Sequence, residues 1–147
     1  MKKFFLISLA ALTFLSACNQ KDKKSTKQKV GNPVDNVKLD SKIMTPEALW
    51  SFGRVSGIKL SPDKSQILFN VAFYDVEKNK SNRELFVMPV EGGEATNITN
   101  SKNSEFNARW RPDGEKIGYL TSSDGSVQLW EMKPNGTDKK KISDIED

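Results

Sequence analysis

Between residues 55 and 143 apolar and polar side chains alternate in short runs, each closed by turn-forming residues. The longest run covers residues 66 to 76. There Ile67, Phe69, Val71 and Phe73 share one face at a period of two, while Leu68, Ala72 and Tyr74 lie on the other. Two apolar faces suit a strand in a sheet packed between two neighbours. Runs at 55–60, 84–90 and 94–99 predict three companion strands, with 77–82 as a polar hairpin loop and Gly92-Gly93 as a turn. A second set follows at 107–110, 116–121, 127–133 and 139–143, punctuated by Asp124-Gly125 and Pro134-Asn135-Gly136.

The two sets are a repeat. Leu60-Ser61-Pro62-Asp63-Lys64-Ser65-Gln66-Ile67-Leu68-Phe69 stands fifty residues ahead of Trp110-Arg111-Pro112-Asp113-Gly114-Glu115-Lys116-Ile117-Gly118-Tyr119. In each copy Pro (Pro62, Pro112) pre-sets the second turn position and Asp (Asp63, Asp113) tolerates the third, and in the later copy Gly114 closes the turn. Further on, Leu85-Phe86 answers to Leu129-Trp130, Met88 to Met132, Gly92 to Gly136 and Ile98 to Ile142, all at an offset of 44. The six-residue difference is placed in the hairpin between the second and third strands, where added length is tolerated best.

Four strands in a unit of 44 to 50 residues mark a β-propeller blade. The expected fold is therefore all-β: two four-stranded blades, at about 55–99 and 106–143, of an incomplete β-propeller. Since a closed ring takes roughly four to eight blades, the expectation is an N-terminal part of a longer polypeptide or a truncated gene product. Ahead of the blades, Thr45-Pro46-Glu47-Ala48-Leu49-Trp50 supplies an N-cap residue, a first-turn proline and an acid, which predict a short helix.

Residues 1–17 have the three parts of a secretory signal peptide: Lys2-Lys3, an apolar stretch and small residues. The stretch is short for a membrane span. Leu15, Ser16 and Ala17 ahead of Cys18 resemble the lipobox of bacterial lipoproteins. The resemblance implies that Cys18, the single cysteine, is acylated and becomes the N-terminus, so the first expected partner is a membrane. Residues 18–42 then form a lysine-rich flexible tether, and 43–147 the folded part. The implied location is the bacterial cell envelope, with the outer membrane facing the periplasm as the first expectation and the cell surface as the second. One thiol leaves no internal disulfide to build.

Charge changes little once it is divided along the chain. The net +4 belongs to leader and tether; from residue 43 onward 14 basic side chains face 16 acidic ones. No basic face interleaved with aromatics emerges, and no nucleic-acid partner is expected. Gly53-Arg54-Val55-Ser56-Gly57 has the wrong spacing for a Gly-x-Ser-x-Gly nucleophile elbow, so Ser56 reads as a loop or strand-edge serine. Scattered Asp residues at turns read as turn formers; no metal or cofactor is expected. Trp50, Trp110 and Trp130 read as core between blades. Asn97-Ile98-Thr99 and Asn135-Gly136-Thr137 read as turn and strand residues despite fitting a glycosylation sequon.

Met44-Thr45-Pro46-Glu47-Ala48-Leu49-Trp50, Gly53-Arg54-Val55 and the Ser61-Pro62-Asp63 turn together resemble the start of the propeller in bacterial prolyl oligopeptidase family peptidases. The dipeptidyl peptidase 5 type of Bacteroidetes is the most similar. Glu84-Leu85-Phe86-Val87-Met88 and the segment from Gln128 to Gly136 continue the resemblance through both blades. It implies a propeller that restricts access to short peptides above an α/β-hydrolase domain holding a Ser, Asp and His triad. No triad residue carries over, because the chain has no histidine. Catalytic residues are therefore expected to be absent. Glu77 and Glu84 read as solvated strand-end charges. The expected function is a non-catalytic, lipid-anchored propeller part of a serine dipeptidyl or oligopeptidase. The alternative is a non-enzymatic envelope lipoprotein with Tol-type blades that bind a protein partner.

Overall fold

The computed structural model of the chain describes residues 42–146; the signal peptide, the lipobox and nearly all of the tether lie outside the described residues. A short helix, α1 (Pro46–Ser51), precedes two antiparallel four-stranded sheets. The first contains β1 (Arg54–Leu60), β2 (Gln66–Asp75), β3 (Lys80–Pro89) and β4 (Thr96–Asn97). The second contains β5 (Glu105–Trp110), β6 (Ile117–Asp124), β7 (Ser126–Met132) and β8 (Lys140–Lys141). In both, strand order follows chain order, so each sheet is the meander that defines a blade.

The helix begins where the sequence predicts it. Ala48 N donates to Thr45 Oγ1 at 3.2 Å, Pro46 fills the first turn and Glu47 meets the positive end of the dipole. Ala48 is fully buried. The chain then crosses the outer face of the first blade at Gly53, where a Cβ would stand 2.6 Å from Val71 Cγ1 and 2.9 Å from Phe73 Cε1. Only a glycine allows that approach.

Both faces of β2 are buried, as its two apolar faces demand. On one, Phe69, Val71 and Phe73 gather with Phe86 of β3; Phe69 stacks on Phe86 at 5.7 Å and Phe73 meets it edge-on at 6.4 Å. On the other, Leu68, Leu85, Val87 and Ile98 of the first blade close on Ala108, Ile117, Tyr119 and Met132 of the second. This second cluster is the seam between blades. Each large side chain removed from water there contributes roughly 1.5–3 kcal/mol.

The repeat is exact in register. Phe69 pairs with Phe86, seventeen positions on, and Tyr119 pairs with Trp130, eleven positions on, so the first β-hairpin is six residues longer. That hairpin differs from expectation in one respect. Lys80 to Asn82 are not loop but strand, since the ladder runs to Asp75↔Lys80 and leaves only Val76 to Asn79 as the turn. The last strands are shorter than the sequence pattern suggests. β4 stops at Asn97 because its side chain accepts from Thr99 N (3.0 Å) and Asn100 N (2.9 Å), replacing the ladder with a local turn.

The Pro-Asp hairpins are built alike. Ser61 N donates to Gln66 O at 2.8 Å and Lys64 N to Ser61 O at 2.9 Å; fifty residues later Arg111 N donates to Lys116 O at 2.8 Å and Gly114 N to Arg111 O at 2.9 Å. Asp63 accepts from the Ser61 and Ser65 hydroxyls and from Ser65 N, which holds its carboxyl down at about 2. Asp113 accepts from Arg111 and Glu115 N and is likewise held below its ordinary value. One position differs: Lys64 sits at φ 61, where the second copy has Gly114 at φ 75. Replacing Lys64 by Gly removes left-handed strain of about 1–2 kcal/mol, offset by greater chain entropy when unfolded. The expected net gain is roughly 0.5–1 kcal/mol, read as a rise in Tm, whereas Lys64→Val lowers it.

Candidate functional site

The predicted lipidation residues Leu15, Ser16, Ala17 and Cys18 lie outside the described residues. The predicted turn residues Ser61, Pro62 and Asp63, with Pro112, Asp113 and Gly114, sit at equivalent hairpins at one end of the two blades and bond within their own turns. Ser56 is an exposed residue of β1, the edge strand, paired with Asn70. Among the described residues no three His, Cys, Asp or Glu side chains converge to hold a metal ion. The chemistry of the described part is concentrated instead where one blade hands over to the next.

Glu84 corrects the sequence reading. It is not a solvated strand-end charge but a residue only 5% exposed, inside β3. Thr99 Oγ1 donates to its Oε2 at 2.5 Å, while Ser101 N (3.1 Å) and Asn82 Nδ2 (2.8 Å) donate to its Oε1. The carboxylate thus organises the link that leaves β4 for the next blade. Those donors replace the water that the carboxyl group loses on burial. Gln128 does the same in the second blade, 44 residues on. Its Oε1 accepts from Ser143 Oγ (2.7 Å) and Ile145 N (2.9 Å), and its Nε2 donates to Ser126 Oγ and Ile145 O. Thr99 and Ser143 also bond alike, receiving Leu85 N and Leu129 N. The pairs Glu84/Gln128, Thr99/Ser143 and Asn82/Ser126 all share the repeat offset, and that was the signal available in the sequence.

Glu105 opens β5 beside this latch and is also buried. Ser101 Oγ donates to its Oε1 at 2.5 Å, and its Oε2 has no partner. Burial pushes its carboxyl up to about 7 and the Glu84 charge adds to this, against the Ser101 hydroxyl and Lys139, which hold it down. Burial, with the Glu105 charge behind it, pushes the Tyr119 phenol up to about 12. A carboxyl raised on folding binds its proton more tightly in the folded state. Its stabilising effect is complete below the unfolded value near 4.5 and is lost as pH rises through about 7. With no histidine in the chain, little else titrates there. Glu105→Gln is expected to flatten the stability profile between pH 5 and 8 and to raise stability at pH 8 by about 1–2 kcal/mol, discounted for partial solvation. Urea midpoints at both pH values check this.

The tryptophans divide. Trp110 and Trp130 pack against the seam, as expected of core. Trp50 does not: it is 39% exposed, meets Tyr74 edge-on at 5.2 Å, and carries the Arg54 guanidinium 4.5 Å over its ring. It belongs to the helix that caps the first blade rather than to the seam. The second blade keeps an open face. Leu129 is 39% exposed where its repeat partner Leu85 is fully buried, and Ile142 is 47% exposed against 5% for Ile98. With Trp110, Gly118 and Trp130 they line a shallow apolar groove. The residues that a second blade covers on the first are uncovered on the second.

Two consecutive blades with a seam between them and an open face beyond define an all-β propeller portion. Comparison with known proteins points to its family. The chain is 33% identical over 115 residues to Dipeptidyl-peptidase 5 of Porphyromonas endodontalis, a match covering 78% of this chain and 16% of that protein. It is 38% identical over 86 residues to Dipeptidyl-peptidase 5 of Porphyromonas gingivalis, covering 58% and 13%. The matches therefore span only 16% and 13% of these relatives' lengths. Among solved structures, the acylaminoacyl peptidase of Pyrococcus horikoshii is similar in fold (TM-score 0.55, 20% identity, 67% of this chain and 15% of that one). So is the AtxE2 isopeptidase (TM-score 0.55, 20% identity, 71% and 20%). No family model matches the chain. These likenesses support a propeller portion of the prolyl oligopeptidase family of peptidases.

Proposed function

We propose that the chain is the lipid-anchored, non-catalytic N-terminal portion of an exported serine dipeptidyl or oligopeptidase, whose blades gate the access of short peptides to a hydrolase domain. The observation that carries this is the open face of the second blade. Leu129 and Ile142 repeat Leu85 and Ile98, and those two are buried because another blade covers them. An apolar face of this kind left in water is unfavourable, so a further blade is its natural cover and a larger polypeptide the natural context. The chain's own residues supply no Ser-His pair, so chemistry falls to other residues of that polypeptide.

The test is to recover the native gene product from its cells with an antibody to this chain, then assay it on dipeptidyl nitroanilides. A product much larger than this chain that releases nitroaniline supports the reading. A product of this length with no associated hydrolase overturns it. The anchor is tested separately: Cys18→Ala is expected to move the protein from the detergent phase to the aqueous phase, and unchanged partitioning argues against lipidation.

A further inference from the structure

The first strands of the two blades meet at one edge of the molecule. β5 packs against β1, β2 and β3, while every residue of β1 remains exposed. Both strands carry a bulge at the same repeat position: the ladder breaks between Ser56 and Lys59 and again between Phe106 and Arg109. Gly57 (φ 65) and Asn107 (φ 54) supply the left-handed turn that each bulge needs. Side by side, the bulges open a cleft of about 290 Å³ between the blades.

Lys59, Arg83 and Arg109 all line that cleft. None of the three forms an ion pair among the described residues, whereas Arg111, Lys116 and Lys141 nearby on the second blade all do. Three like charges around one small polar cleft repel, and an anion between them relieves the repulsion. The cleft also has a fixed acceptor. Asn70, 3% exposed, donates through Nδ2 to Glu105 O at 3.1 Å, which locks the amide. Its Oδ1 is thereby turned toward the bulge, 2.8 Å from where a Cβ on Gly57 would lie.

We propose that this cleft binds the free C-terminal carboxylate of a short peptide, with Lys59, Arg83 and Arg109 holding the carboxylate and Asn70 Oδ1 accepting an amide N–H of the same peptide. An anion without a donor, such as chloride or sulfate, uses the cations but leaves the acceptor idle; a peptide terminus, with its amide N–H, uses both. The proposal rests on the reading that the blades admit short peptides, and adds that they select for the charged end.

The probe is N-acetyl-trialanine against its C-terminal amide, titrated into the full chain by NMR at about 50 mM and 500 mM salt. The acid is expected to bind at least ~5-fold more tightly than the amide at low salt, on the order of one charge-assisted hydrogen bond, and to lose most of that advantage at high salt. Arg83→Gln with Arg109→Gln is expected to abolish the preference, while Lys102→Gln, on the exposed link outside the cleft, preserves it. Equal binding of acid and amide, no binding of either, or a preference that survives the double substitution overturns the proposal. These outcomes are independent of the nitroanilide assay, so the cleft can fail while the peptidase reading stands, and the reverse.

Discussion

Gly136→Ala is expected to destabilise the fold by about 3 kcal/mol, and Gly92→Ala, at the same repeat position of the first blade, by only about 1 kcal/mol. Both glycines have positive φ, 81 for Gly136 and 92 for Gly92, and both close a turn through their own N–H, to Lys133 O at 2.8 Å and Pro89 O at 3.1 Å. The left-handed penalty is therefore common to the two. Surroundings separate them. A Cβ on Gly92 would meet nothing within 4 Å, whereas one on Gly136 would collide with the Ile98 carbonyl oxygen and lie 3.1 Å from Ile98 C and Cα. The turn of the second blade rests on the backbone where β4 of the first one ends. Backbone cannot move aside as a flexible side chain does, so the seam must open. Lys139 Nζ, which donates to Thr99 O at 2.9 Å, loses its place in the same step. Thermal melts of the two variants measure the difference. Equal losses would mean that the seam does not depend on this contact.

The same pair of glycines shows what could be read in advance. Offsets of 50 and 44 residues locate both blades, the Pro-Asp hairpins and the six-residue excess, because turn chemistry and period-two patterning are local. Burial of charge is not local. Glu84 looks like any strand-end acid beside Arg83 until the link through Thr99 and Ser101 is folded over it. Asn82 looks like loop until the same link uses its amide, at 2.9 Å from Ser101 O. Trp50 misleads in the opposite direction, since an aromatic suggests core but its helix lies at the margin and the ring is shared with Arg54 and Tyr74. The bulges were hidden for another reason. Gly57 and Asn107 are both compatible with positive φ, yet neither interrupts the alternation enough to announce an extra residue.

Leu85→Ala and Leu129→Ala turn the open face into a measurement. In this chain Leu85 is fully buried in the seam and Leu129 is 39% exposed. Truncating Leu85 removes buried methyl groups and leaves a cavity between Leu68, Val87 and Ile98 of its own blade and Ile117 and Met132 of the next, so a loss of about 3 kcal/mol is expected. Truncating Leu129 exposes little that water does not already reach, and about 1 kcal/mol or less is expected. In a polypeptide that continues into a further blade, the second value should climb toward the first, because the new sheet would stand over Leu129 as the second blade stands over Leu85. Urea denaturation of each substitution, in this chain and in the native gene product, reads all four values. A large Leu129 loss in the chain by itself would show that something in it already covers the face. A small loss in both contexts would show that no blade ever does, and the proposed role as part of a larger ring would fall with it.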